Sequence, residues 1–384
     1  MLILVAIAVQ TLGAIVYQSL GVAGPFLVDQ LNLSNVAFGL LSSAMHVGSL
    51  AALIVSAALL DRLGPTRLLG LGSLLCGAML LTGALGGSYL VLAACLTVVG
   101  AVWGLSAIAG GETIVLSAPP RHRATITSVR QLALPLGGLI AALLGPVAVF
   151  VGWQGLMVGQ AVAFVVVAAF ILRTRLLPVH RHRKTPWLQI PTRRGAMLGA
   201  LAIGLTGAQA AFLVYAVLEL TGRVGLGFSQ AALLFVAAQG MGAICRVLLG
   251  VISDATPVSR TSLLALNSLA AATATVGFGL LQPDWPAWII ISSVLAAAGL
   301  IIGWNGVLVV AILEADGADQ VNRNLGGGMM LMRIGIIVGP PVFGMMLTWF
   351  GSAVAWSAVA AVFLVVGALF AVMGPGLMER KALA

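Results

Sequence analysis

Long apolar runs alternate along the whole chain with short clusters of charge, proline, glycine or asparagine. Reading each apolar run of about 20 residues as one membrane crossing predicts twelve α-helical spans. With boundaries good to about 2–4 residues, they cover 3–27, 36–60, 68–86, 89–117, 124–149, 154–172, 195–219, 229–252, 261–281, 286–313, 325–349 and 353–373. An even number of spans puts both termini on one side. The first run, "MLILVAIAVQTLGAIVYQSLGVAGPFL", has neither a basic n-region nor a small-residue cleavage site, so it reads as a span that is kept.

Composition agrees with this pattern. Of 384 residues, 61% are hydrophobic and 8% charged, with a mean hydropathy of +1.13, whereas soluble domains are about 25% charged. The net charge of +9 comes without a soluble basic domain or an aromatic-interleaved basic patch, so nucleic acid is not an expected partner. The charge lies in loops. Alternate loops and the C-terminus hold fifteen of the nineteen Lys and Arg residues, the opposite loops hold only Arg223, and Arg130, Arg246 and Arg333 fall inside spans. The positive-inside rule therefore places both termini in the cytoplasm and the protein in the inner membrane. Cys76, Cys95 and Cys245 sit in apolar runs at spacings that match no metal or redox motif, and read as small core residues.

The segment "RTRLLPVHRHRKTPWLQIPTRRG" lies between spans six and seven. It divides the chain into an N-terminal six-helix bundle (1–172), a basic cytoplasmic linker (173–194) and a C-terminal six-helix bundle (195–384). The halves echo one another: "AALLDRLGPTR" after span two matches "GVISDATPVSR" after span eight, and "LPLGG" in span five corresponds to "VGPPVFG" in span eleven. Parallel six-span repeats with a site at the midplane are a transporter architecture. The expected fold is all-α, with two pseudo-two-fold related bundles.

These stretches resemble the major facilitator superfamily. "LDRLGPTR" is similar to that family's signature between spans two and three, with Asp61, Arg62, Gly64 and Arg67 in matching positions and Ala57 where glycine is usual. The second-half copy keeps Gly250, Asp254 and Arg260. "RHRATITSVRQLALPLGGLIAALLGPVAVFVGWQG", "AAQGMGAICRVLLGVISD" and "IIGWNGVLVVAILEADG" resemble the cyanate, nitrate and organic-anion branches. The antiporter motif of span five wants glycine before its proline, and Leu134 stands there. The resemblance implies gating roles for Asp61, Arg62, Arg67, Asp254 and Arg260, with opposite charges pairing across the halves in one state and parting in another. Arg246, near the end of span eight, is placed with them.

Glu112 and Arg130 stand nine residues either side of Arg121 in the loop "APPRHR". Two antiparallel helices joined there should bring both to one depth, roughly 10 Å from the cytoplasmic edge. Intramembrane ionisable groups usually pair or face a water-filled path. Three roles stay open for the two: a substrate or proton site, a structural ion pair, or snorkelling at the lipid edge. The glycines of "AIAGGE" favour close helix approach. Protonation of Glu112 would free Arg130 for an anion, and Arg333 of span eleven is the counterpart arginine. Together the arginines suit a carboxylate or inorganic oxyanion. His46, in mid-span two, is either a second proton site or a packed histidine. Further polar groups expected to meet substrate are Gln131, Tyr17, Gln18, Gln209, Tyr215, Gln239, Trp304 and Asn305; Asn267 is another polar group in a span. Asp29, Glu219 and Asp284 are expected at the external interface.

No GxxxxGK[ST] loop and no nucleophile, metal or cofactor constellation is written in the chain, so neither an ATP-driven pump nor an enzyme is expected. The expectation is a monomeric secondary transporter of a small anionic organic solute, working by alternating access in the bilayer with a proton or counter-substrate. A multidrug or amphiphile exporter of the same fold is the alternative.

Overall fold

The computed structural model describes residues 2–117, 126, 130, 133–173, 190–316 and 320–377. The regular elements among them are helical: α1 Leu2–Val22, α2 Gly24–Gln30, α3 Asn35–Leu85, α4 Tyr89–Ser117, α5 Ala133–Leu143, α6 Gly145–Leu172, α7 Arg193–Gly222, α8 Phe228–Ala255, α9 Arg260–Gly279, α10 Ala287–Gly303, α11 Asn305–Leu313 and α12 Val321–Leu377. Among the described residues, ten helical segments are long and apolar enough to cross a membrane, and Ala133–Leu143 is a shorter apolar helix. Their outward faces are bare hydrocarbon, as at Val162 and Leu233, which suits a lipid surround.

Three long helices bend at glycine. α3 turns at Gly64 (φ 71°), α6 at Gly152 (φ 67°) and α12 at Gly351 (φ 80°). Residues with a Cβ rarely enter this left-handed region, so glycine allows a reversal with almost no loop. After Gly64 comes Pro65, whose fixed φ and missing N–H suit the first turn of a new helix. The "LDRLGPTR" signature is therefore a glycine–proline turn between two spans. Its second-half copy turns without glycine: α9 starts afresh, with Ser259 Oγ accepting the Ser262 N–H at 3.1 Å.

The chain packs as two compact units, Met1–Leu33 with Leu40–Trp187, and Ser34–Gly39 with Leu188–Ala384. Corresponding contacts recur inside each. In the first unit α5 packs on α1, and a Cβ on Gly137 would come 2.5 Å from Ala14 Cβ. In the second α12 packs on α7, and a Cβ on Gly335 would come 2.2 Å from the Ile203 carbonyl oxygen. The last span of each half is tied to the end of its first by an indole: Trp153 Nε1 donates to Gln30 Oε1 at 2.9 Å, and Trp356 Nε1 to Glu219 Oε2 at 3.1 Å.

Glu219 lies three residues before the end of α7 and is 6% exposed. Its Oε2 accepts from Arg223 Nε at 2.9 Å, from Trp356 Nε1 and from Ser352 Oγ. Arg223 also donates to the carbonyls of Phe278, at 3.0 Å, and Leu281. Those carbonyls lie at the C-terminal end of α9, where intrahelical partners run out and a cation is favoured. One buried ion pair thus joins three spans of the second unit.

Candidate functional site

In the first unit, Arg130 does not stop at the depth of Glu112. Its Nη1 donates to the Ala107 carbonyl at 2.7 Å, and a Cβ on Gly110 would lie 3.5 Å from that nitrogen. Ala107 is five residues further into α4 than Glu112, about 7 Å at 1.5 Å per residue. The long arginine side chain places its charge against the Ala107–Gly110 turn of α4. Glu112 itself is half-buried. Neither glycine of "AIAGGE" is required by packing, because a Cβ on Gly110 meets its neighbours at ordinary distance and one on Gly111 meets nothing within 4 Å. Arg130 Nε is buried and has no hydrogen-bond partner among the described residues.

The other expected residues of this unit are placed as follows. Gln18 Nε2 donates to the Leu134 carbonyl at 3.2 Å, linking α1 to α5. Tyr17, His46 and Trp103 form one buried aromatic cluster, with the histidine ring edge-on to tyrosine at 4.6 Å. Asp61 is half-buried, and Arg62 and Arg67 are exposed. Gln131 lies outside the described residues.

In the second unit, Tyr215 is fully buried and its hydroxyl donates to the Asn35 carbonyl, so that group is already committed. Gln209 and Arg333 are half-buried and Gln239 is buried. Arg260 was expected to pair across the halves. Within its own unit it instead forks onto Glu314, Nε to Oε2 at 2.8 Å and Nη2 to Oε1 at 2.9 Å, and reaches Asp254 Oδ1 at 3.1 Å. Bidentate geometry is what an arginine–carboxylate pair favours. The turn that begins at Glu314 therefore holds the ends of α8 and α9.

Helix α8 presents three faces. Ile244, Val247, Leu248 and Val251 are exposed and apolar. Met241 and Cys245 pack on Gly299 and Gly303 of α10. The third face carries Gln239, Ala243, Arg246 and Gly250, spaced as one stripe of an α-helix. A Cβ on Gly250 would meet nothing within 4 Å, so the stripe is open there.

Arg246 lies beside an interruption in span ten. Helix α10 ends at Gly303, α11 starts at Asn305, and Trp304 stands between them. A Cβ on Gly306 would lie 3.7 Å from Arg246 Cγ, so the arginine stem lies against the first turn of α11. Arg246 Nε is buried and has no hydrogen-bond partner among the described residues. Trp304 is fully buried, and its indole N–H also lacks an acceptor. Asn305 is half-buried beside it. The second unit thus holds two buried donors without partners among the described residues, Arg246 Nε and Trp304 Nε1, and two buried amide oxygens without donors, Gln209 Oε1 and Asn267 Oδ1. The break was readable as two glycines around a polar pair, "GWNG", inside an apolar run.

A sequence-family model described as Major Facilitator Superfamily matches residues 6–320. An uncharacterized MFS-type transporter of Mycobacterium tuberculosis is 27% identical over 316 residues, covering 81% of this chain and 71% of that protein. Among solved structures, a D-xylose–proton symporter matches with a TM-score of 0.81 at 15% identity, over 99% of this chain and 98% of that one. A bacterial homolog of the human lysosomal transporter Spinster, inward-facing and occupied, matches with a TM-score of 0.81 at 17% identity over the same shares. A nucleoside transporter matches with a TM-score of 0.79 at 13% identity, over 97% of this chain and all of that one. At these identities the structural likeness is one of fold.

Proposed function

This chain belongs to the Major Facilitator Superfamily and is a multi-pass membrane transporter, and on that premise we propose that it carries a small anionic organic solute by alternating access, coupled to protons. The proposal includes twelve spans in two six-helix bundles, with the termini in the cytoplasm of an inner-membrane protein. The loop distribution of Lys and Arg supports that orientation. The exposed aromatics Phe150, Trp288, Trp349 and Phe350 sit at span ends, where a membrane–water interface suits them.

One observation carries the anion reading: Arg246, a cation inside a span, has a buried Nε without a partner among the described residues, and its stem lies against Gly306 of span ten. A cation inside a span is costly, and in transporters such groups line the solute path. This moves Arg246 from the gate, where sequence placed it, to the solute. Arg130, with its own unused Nε–H, is the cation assigned to the solute in the first unit. Glu112 is assigned the proton, being a half-buried acid on the helix whose backbone holds Arg130.

The test is uptake of labelled monocarboxylates and inorganic oxyanions into proteoliposomes. A hydrogen bond to a charged group contributes about 1.5–3 kcal/mol, so Arg246→Gln should raise the half-saturating concentration by roughly tenfold or more. Transport of lipophilic cations with no response to any anion would favour the exporter and refute this reading.

A further inference from the structure

We propose that a groove on the lipid-facing side of the first unit binds one anionic phospholipid, with an acyl chain in the groove and the headgroup phosphate at Arg67 and Arg173. The groove has a volume of about 300 Å³ and lies between helix α6 and the part of α3 that follows Gly64. Leu74, Ala78 and Leu81 form one wall and Val158, Val162 and Val166 the other, and none of its lining side chains carries a polar atom. Leu81, Val162 and Val166 are exposed, on the bare hydrocarbon surface that suits a lipid surround.

Small residues fix how the two helices lie. A Cβ on Gly70 would come 2.7 Å from Leu172 Cδ2, and one on Gly77 would come 2.8 Å from Val165 Cγ2 and 3.1 Å from the Ala161 carbonyl oxygen. Seven residues forward on α3 thus correspond to seven residues back on α6, an antiparallel pair in constant register. Glycine at position 77 lets the backbones come close, and the larger side chains on either side stand up as walls. The same register brings two cations to one end of the pair: Arg67 is three residues before Gly70, and Arg173 follows Leu172 directly. Seven residues are two helical turns, so Arg67 lies on the face of Leu74 and Leu81, and Arg173 on the face of Val166. Both arginines are exposed.

The dimensions fit a lipid standing in one leaflet. At 1.5 Å per residue the groove begins about 10 Å from the arginines, at Leu74 and Val166, and ends about 21 Å from them, at Leu81. Half a bilayer with its headgroup region is about 20 Å. A chain lying along the groove therefore ends near the midplane while its phosphate stays level with the guanidinium groups. Charge decides the headgroup. Residues 68–111 and 131–172 contain no charged residue. The charge placed at the other end of α6 is an acid, Asp29, next to the Gln30 that accepts from Trp153 and Gln154. At the arginine end Asp61 is half-buried across the Gly64 turn, whereas Arg62, Arg67 and Arg173 are exposed. A second copy of this chain is disfavoured as the occupant, because a two-fold axis along the membrane normal sets the basic ends of both copies at one level, where they repel. An anionic lipid is attracted instead, by about fivefold in affinity for each arginine.

The test is native mass spectrometry of the purified full chain with added phosphatidylglycerol and phosphatidylcholine of identical acyl chains. The wild type should retain one phosphatidylglycerol per chain in preference to phosphatidylcholine. Arg67→Gln and Arg173→Gln should each weaken that retention about fivefold, and the double variant about 25-fold. Arg193→Gln, at an exposed arginine of the second unit, should leave it unchanged. Ala78→Trp and Val162→Trp fill the groove from opposite walls, and whichever keeps the wild-type melting curve should no longer retain phosphatidylglycerol. Equal retention of the two lipids by the wild type overturns the proposal, as does undiminished phosphatidylglycerol in the double variant or in a folded tryptophan variant. A loss in Arg193→Gln as large as that in Arg67→Gln overturns it by showing diffuse attraction to basic charge, and a wild-type dimer that Ala78→Trp dissociates overturns it in favour of a second copy.

Discussion

Arg223→Leu isolates the effect of the buried charge network in the second unit. The substitution removes the guanidinium that faces Glu219 and leaves the carboxylate, 6% exposed, with only Trp356 and Ser352 as donors. It also strips the Phe278 and Leu281 carbonyls of their cation. Breaking a buried pair by removing one partner typically costs about 3–5 kcal/mol, because an uncompensated charge stays inside. The Arg223 side chain is 22% exposed and that of Glu219 is 7% exposed, so water relieves little of that cost. For a body of about 200 residues, 3 kcal/mol corresponds to a fall of roughly 6–12 °C in Tm. Thermal unfolding of the detergent-purified protein, followed by tryptophan fluorescence, measures it. The double variant Glu219→Gln/Arg223→Leu should recover a large part of the loss, since no charge is then stranded. A single variant within 1 °C of wild type, or a double variant as unstable as the two singles summed, would refute the reasoning.

Other expectations follow from the same geometry. Gly335→Ala puts a methyl against the Ile203 carbonyl and should cost about 1–3 kcal/mol by overpacking, whereas Gly111→Ala has open space and should be neutral or gain up to about 1 kcal/mol from helix propensity; paired melting curves distinguish them. Glu314→Gln should shift the melting point by less than about 4 °C, because its side chain is 43% exposed and exposed pairs contribute about 0–1 kcal/mol; its effect should appear in turnover, read by counterflow. Glu112→Gln should retain counterflow and lose accumulation driven by a pH gradient, measured in the same vesicles.

Much of the architecture was legible because lipid imposes a coarse rule: apolar runs become helices, and charge collects between them. Gly64, Gly152 and Gly351 all fall in gaps left between predicted spans. Side-chain partnerships were less legible. The network at Glu219 was not legible because two of its partners, Ser352 and Trp356, lie 133 and 137 residues away, although Arg223 at i+4 was a readable local hint. Arg130 was assigned the depth of its Cα rather than that of its guanidinium. Arg260 was expected to pair across the halves because Glu314, 54 residues on, was not matched to it. The break at Trp304 was hidden by unbroken hydropathy on either side, since a helix interruption without proline leaves only the glycines of "GWNG" as a trace.

Anion response at Arg246 tests the central claim most directly. Wild type, Arg246→Lys and Arg246→Gln, each purified and checked for an unchanged melting curve without ligand, are titrated with sodium acetate and sodium sulfate. The account predicts stabilisation of the wild type by at least one of the two anions, a weaker response in Arg246→Lys, which keeps the charge but not the fork, and loss of the response in Arg246→Gln. An equal response in all three proteins would contradict it.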